Sequence, residues 1–439
     1  MPTPARPLHT HGAFDLAALL AAREVTAEAL VRALLERIAE LEPRVLAWEH
    51  LDRERALAEA RRIDAGPRTL LGGVPLGVKD IIDTADLPTA CGSAARAGHR
   101  PAQDAACVAA LRAAGGVVLG KTVTTEFAGF TPGKTRNPHH PGHTPGGSSS
   151  GSAAAVAAGM VPAALGTQTA GSILRPAAYC GVLGWKPSFG LLPLAGVSPV
   201  APTLDTLGLF ARDLRDLPLL ARALGAAVAV PRAPDAPRVR LCRTEAWPLA
   251  APEAQRIVED AAVALAGAGA RVDEAELPAG FEGLLAAHAT IQAYETARSL
   301  AEVRAAHADL LSPGLLAALD AGAAIPAPEY LAAQGLAAAA RARLGEVFAD
   351  ADVLLGASAT GEAPETLERT GDPAFTRVWT LLGVPCLHLP IGRGPRGLPL
   401  GVQLVGAPRA DGALLAAGAW IAARLGNAAA TPLPGDAAR

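Results

Sequence analysis

Two glycine-serine turns within one segment constrain this chain more than any other feature. They are Gly146-Gly147-Ser148-Ser149-Ser150-Gly151 and Thr169-Ala170-Gly171-Ser172, inside TPGGSSSGSAAAVAAGMVPAALGTQTAGSILRPAAYCGVLGWKP at residues 144–187. Turns of such small residues let backbone approach a ligand closely and point N–H groups inward. Two of them, each with a hydroxyl, indicate an oxyanion-binding site beside a serine nucleophile. Upstream, Gly72-Gly73-Val74-Pro75-Leu76-Gly77-Val78-Lys79-Asp80 sets a lysine after an apolar run, where burial would strip its charge.

The hydrophobic period around these motifs alternates. Residues 13–62 read as two or three amphipathic helices. Thr26 is suited to cap EALVRALLERIAEL, and Leu30, Leu34, Ile38 and Leu41 share one face. Residues 74–82 read as a buried strand, 107–114 as a helix and 116–120 as the next strand. This alternation predicts α/β layers. Residues 124–147, rich in Gly, Pro, Thr and His, read as a long functional loop, and 152–160 as a helix. Residues 213–350 read as alanine-rich helices with breaks at 229–237, 312–314 and 325–328. Strand patterns return at 353–355, 386–391 and 400–405, before a last helix near 411–425. No internal repeat or linker stands out.

Half of the 439 residues are hydrophobic and only 4% aromatic, so the core is expected to be Ala, Leu and Val. The net charge of −3, with no basic cluster, argues against nucleic acid and membrane surfaces as partners. Cys91, Cys107, Cys180, Cys242 and Cys386 are scattered, with no Cys-x-x-Cys pair. That pattern fits reduced thiols in a cytoplasmic protein. Pro2, Pro4 and Pro7 interrupt any signal peptide, and no apolar run has transmembrane length.

The lysine motif and the two turns together resemble the amidase signature family, amide hydrolases with a Ser–cis-Ser–Lys triad. The resemblance extends to the helical start and to GVPCLHLPIGRGPRGLPLGVQLVG near the end. Only about 225–350 lacks a recognisable motif. It implies a single α/β domain over 1–439, with a mixed central β-sheet between helical layers. Its parts would be a helical N-terminal segment (1–62), a catalytic core (72–215), a variable helical region (225–350) and closing strands and helix (351–426).

By this resemblance Ser172 is the nucleophile, and Ser148 relays a proton between Lys79 and Ser172. The Gly147–Ser148 peptide is then cis, and the N–H groups of Thr169, Ala170, Gly171 and Ser172 form the oxyanion hole. An ordinary lysine, with a pKa of about 10.4, is a poor base at neutral pH. Burial among Val74, Leu76, Val78 and Ile81 would favour its neutral form. The alternative for Lys79 is a buried ion pair with Asp80 or Asp83. Of Ser149, Ser150 and Ser152, one is expected to bond within the site and the others to cap the following helix.

The commonest family motif, GTDTGGSIR, is here GTQTAGSILR, with Gln168 for Asp and Arg175 displaced by one place. The pattern GTQT-x-GS-x-x-RP resembles a subgroup that includes bacterial malonamidase, where the equivalent arginine holds the substrate's carboxylate. The alternative for Arg175 is a structural pair with Asp205. Gly147, Gln168 and Thr125 are further candidates for substrate binding. Thr125, with Glu126 and Phe127, either walls the pocket or packs behind it, and Tyr294 and Trp379 are candidate pocket residues.

The implied activity is hydrolysis of a small-molecule amide through an acyl-enzyme on Ser172, without cofactor or metal. The same triad would serve an ester or carbamate substrate. A second reading is the glutaminase component of a tRNA-dependent amidotransferase complex, against which stand Gln168 and the displaced Arg175. A third is a catalytically dead binding protein, which conflicts with a complete triad. His139, His140 and His143 lie in a Gly/Pro loop without Cys or carboxylate at ligand spacing, and read as solvated side chains. The first turn lacks the GK[ST] ending of a phosphate-binding loop. A homodimer is left open.

Overall fold

The computed structural model describes residues 6–129, 131–232 and 235–426. Pro2, Pro4 and the two ends of the 1–439 assignment lie outside the described residues. One eleven-stranded sheet organises the chain. Its strands are β1 (Trp48–Leu51), β2 (Pro75–Lys79), β3 (Val117–Thr122), β4 (Ala163–Gln168), β5 (Leu183–Lys186) and β6 (Thr206–Ala211). They continue with β7 (Arg238–Cys242), β8 (Arg271–Ala275), β9 (Val353–Ala357), β10 (Cys386–Arg393) and β11 (Pro399–Val405). The spatial order is β1-β3-β2-β4-β6-β5-β10-β11-β9-β7-β8. β2 runs parallel to β3 and β4, and β7 runs parallel to β8 and β9, while the central pairings are antiparallel. The sheet is mixed, with helices covering it.

Local chemistry accounts for these elements. Thr26 accepts from Ala29 N at 3.1 Å and starts the helix Ala27–Val45. Leu30, Leu34, Ile38 and Leu41 of that helix are buried, so its apolar face seals one flank of the core. β2, β3 and β4 are buried at every position, as parallel strands covered on both faces must be. The core that results is continuous across both faces. A second cluster gathers Phe281, Leu284, Ile291, Trp379 and Val384 beneath the helices of the 225–350 region. No helix among the described residues is long and apolar enough to cross a membrane.

Three strands depart from the sequence expectation. β1 interrupts the helical N-terminal segment, and β7 and β8 lie in the region read as wholly helical. β8, RVDEA, is an edge strand exposed or half-exposed throughout, and its charges hide it. Arg240 on β7 is tied to it by an ion pair with Asp273 at 3.1 Å and a bond to Glu274 O at 2.9 Å. The helix after the first turn also begins earlier than expected, at Ser150, and ends at Ala157.

Candidate active site

β2 and β4 are parallel neighbours, with Val78 opposite Leu165, so both release their next residues on the same side of the sheet. Crevices outside the carboxyl ends of such strands are where ligands bind in α/β folds. Lys79 ends β2 and is 0% exposed. Its Nζ lies 2.6 Å from Ser148 Oγ and 2.8 Å from Thr167 Oγ1. Asp80 does not pair with it. That carboxylate faces Lys121, with Nζ 3.1 Å from Oδ1. Burial pulls the Lys79 ammonium down from 10.5 to about 7, with Asp205 pulling the other way. A neutral Nζ can donate to Thr167 while its lone pair accepts from Ser148.

The peptide Gly147–Ser148 is cis. Gly146 sits at φ +81°, and a Cβ there would come within 2.7 Å of Pro176 Cα, so only glycine fits the approach. Gly147 O accepts from Arg175 Nη2 at 2.7 Å. Thr125 is buried, and its N–H donates to Ser148 O at 3.2 Å while its Oγ1 donates to Gly129 O. It therefore braces the first turn through its backbone. None of the following serines caps the next helix by its side chain. Ser149 Oγ donates to Thr167 O, Ser150 Oγ to Val123 O and Ser152 Oγ to Leu165 O. They stitch the turn to the strand ends instead.

The second turn follows β4 directly. Gln168 is fully buried, with Oε1 accepting from Ile173 N at 2.9 Å and Leu174 N at 3.0 Å. Its Nε2 donates to Thr380 Oγ1 at 2.9 Å. This corrects the expectation of a substrate-binding residue, because both the oxygen and the nitrogen of the amide are committed to holding the turn. A Cβ on Gly171 would lie 2.5 Å from Thr376 Oγ1 and 2.8 Å from Pro373 Cβ. Among the described residues the N–H groups of Ala170, Gly171 and Ser172 have no acceptor. Exposure rises from 0% at Lys79 through 2% at Ser148 to 7% at Ser172. No hydrogen bond joins Ser148 Oγ to Ser172 Oγ among the described residues.

Asp205 accepts from Thr169 Oγ1 at 2.6 Å and from the N–H groups of Val200 and Ala201. Burial pushes its carboxyl up to about 6. The expected Asp205–Arg175 pair is therefore not formed. Arg175 is buried, and its Nη2 is shared between Gly147 O and Thr370 Oγ1, the latter at 3.1 Å. Its Nε and Nη1 have no partner among the described residues. A cavity of about 570 Å³, lined by Pro364, Arg369, Thr370, Asp372, Pro373 and Arg377, opens against this segment.

Other expectations shift as well. Of the three loop histidines only His140 is exposed. His143 is buried with Nδ1 2.7 Å from Ala363 O, and His139 Nε2 lies 2.9 Å from Cys180 O. Trp379 is a core residue, and Tyr294 stacks on Tyr330 at 4.1 Å. Thr370, Thr376, Thr380 and His288, which pack around the two turns, were not visible in the sequence. His288 lies in the 225–350 stretch without a motif, and the three threonines just precede the closing motif that starts at Gly383.

The sequence profile of the Amidase family matches residues 29–415. The chain belongs to the amidase family. It is similar to a glutamyl-tRNA(Gln) amidotransferase subunit of Acidothermus cellulolyticus, with 34% identity covering 94% of each chain. A solved amidase structure superposes with a TM-score of 0.88 at 33% identity, covering 95% of this chain and 100% of the other. The peptide amidase of Stenotrophomonas maltophilia superposes with a TM-score of 0.79 at 31% identity, covering 94% and 96%. The fold of this family member, one α/β domain with a large mixed sheet between helices, matches the architecture expected from its motifs. The enzyme is an amidohydrolase.

Proposed function

We propose that this amidase-family enzyme hydrolyses small-molecule amides through a covalent acyl-enzyme on Ser172. The observation that carries the reading is Lys79, fully buried with Nζ 2.6 Å from Ser148 Oγ. A lysine held near neutrality is a competent base at physiological pH. In the acylation step Ser148 passes its proton to Lys79 Nζ and takes the proton of Ser172 Oγ. The Ser172 oxygen bonds to the amide carbon, and its oxyanion is received by the N–H groups of the Thr169–Ser172 turn. The C–N bond then breaks, and the proton returns along the same path to the leaving nitrogen. Water gives a proton to the same pair and attacks the acyl carbon; the bond to Ser172 Oγ then breaks, the acid leaves, and that proton returns to Ser172 Oγ.

Esters and carbamates pass through a similar tetrahedral intermediate and are included in the reading. The cavity beside the turns, lined by Thr370, Pro373 and Arg377 but not by Lys79, Ser148 or Ser172, has the volume of a small-molecule pocket. A fluorophosphonate probe labelling Ser172, together with a panel of aliphatic amides, aryl amides, malonamate and aryl carbamates, tests the assignment. Loss of labelling in Ser172→Ala is expected, and labelling at another residue would overturn it.

The similarity to an amidotransferase subunit supports a second reading, the glutaminase component of a tRNA-dependent complex. The purified chain separates the two. Turnover of small amides without partner proteins favours the first, and activity on glutamine that appears only with partners favours the second.

A further inference from the structure

Thr169 is gripped from outside the triad at two points. Its Oγ1 donates to Asp205, and its carbonyl oxygen lies 2.9 Å from His288 Nε2. His288 belongs to the helix Leu284–Ser299 and is fully buried. A carbonyl oxygen only accepts, so Nε2 must carry the proton of a neutral imidazole. Its Nδ1 has no partner among the described residues. Burial draws the ring's pKa down to about 3, with Arg377 adding to the effect and the Thr169 carbonyl opposing it. The groups facing His288 thus leave it neutral across the physiological range.

A trans peptide is planar, with C=O and N–H pointing in opposite directions. The carbonyl of Thr169 and the N–H of Ala170 share one such plane, so a donor behind the carbonyl fixes the direction of the N–H in front. The next plane, which carries the Gly171 N–H, meets a shared donor: Thr380 Oγ1 lies 2.9 Å from both Ala170 O and Thr376 O. The helix bearing His288 is anchored to the same neighbourhood at its other end. Glu295 accepts from Thr203 N at 3.0 Å and from Thr203 Oγ1 at 2.6 Å, next to the loop that presents Asp205.

We propose that His288 is a positioning residue for hydrolysis: its Nε2–H pins the Thr169 carbonyl and so aims the Ala170 N–H at the developing oxyanion. The proposal rests on the oxyanion role assigned above to the Thr169–Ser172 turn. It gives the 225–350 region, which carries no motif, a part in transition-state binding through the Thr169–Ala170 peptide.

The test compares His288→Gln, whose amide N–H reaches the place of Nε2, with His288→Met, which keeps the length and drops the donor. The readouts are the rate of Ser172 phosphonylation by a fluorophosphonate probe, inhibition by a trifluoromethyl ketone that forms a tetrahedral adduct, and Tm. Small displacements of catalytic groups cost up to about a hundredfold in rate. His288→Met is expected to slow phosphonylation by roughly ten- to a hundredfold and to weaken the ketone in parallel. His288→Gln should restore most of both. Equal rates for the two variants, or a fall in Tm with unchanged ketone affinity, would overturn the proposal. If His288→Met does not fold, His288→Asn replaces it, because its donor is too short to reach; a fast Asn variant then counts against the proposal. Wild-type enzyme that is never labelled at Ser172 is a different result. It removes the nucleophile assignment itself, and the positioning role with it.

Discussion

Arg175 Nη2 donates to the carbonyl oxygen of Gly147 at 2.7 Å, joining the helix after Ser172 to the peptide before Ser148. Pro176, the next residue of that helix, packs within 2.7 Å of where a side chain on Gly146 would begin. The two turns are therefore clamped against each other by residues immediately beyond the second.

Arg175→Ala removes this clamp and the bond to Thr370. Hydrogen bonds from a charged donor are worth about 1.5–3 kcal/mol each. Tm is expected to fall, and kcat/KM to fall by a similar factor on malonamate and on a neutral amide. A rise in KM confined to malonamate would instead show that Nε and Nη1 hold a substrate carboxylate.

Ser172→Ala is expected to abolish hydrolysis and fluorophosphonate labelling while circular dichroism and Tm stay at wild-type values. Ser148→Ala should be severe but leave residual turnover, since a water can enter beside Lys79 and carry the proton. Activity of Ser172→Ala above a few per cent of wild type, as an order of magnitude for contamination-free loss of a nucleophile, would contradict the assignment.

The pH profile follows from Lys79. Its folded-state pKa is lowered to about 7, so the neutral, proton-accepting amine is the minor form below that pH and the major form above it. Measured kcat/KM should rise through about 7 and level off on the alkaline side, and Lys79→Ala should be slow and flat over the same range. A wild-type profile without that rise would speak against lysine as the base.

Gly171→Ala places a methyl group 2.5 Å from Thr376 Oγ1. Overpacking of this kind costs about 1–3 kcal/mol, and relief requires the turn to move. Both Tm and kcat are expected to drop, whereas Gly335→Ala, where nothing lies within 4 Å and φ is not positive, should leave kcat unchanged.

The meeting of Lys79 with Ser148 was readable because both lie in unusual local sequence: glycines where backbones touch, and a lysine after an apolar run. His288 was not readable. A lone histidine in an alanine-rich helix has no pattern, and its partner Thr169 is 119 positions away. Gln168 misled for a related reason. Its place in the motif suggested the pocket, but the direction of a side chain at the end of a strand is decided by tertiary neighbours. β8 was missed because an edge strand tolerates the very charges that argue against burial, β7 because Arg238 and Arg240 interrupt its apolar run, and His143 because its partner, Ala363 O, is 220 positions away.

β4 presents Thr167 to Lys79 and passes, without an intervening loop, into Gln168 and the Thr169–Ser172 turn. It is flanked by β2 and β6, well inside the sheet. The hydroxyl that holds Lys79 Nζ and the Thr169–Ser172 turn thus hang from one strand with no hinge between them. Partial opening cannot release one and spare the other. Heat inactivation should coincide with cooperative melting of the whole domain rather than precede it, making lost activity a faithful reporter of global unfolding.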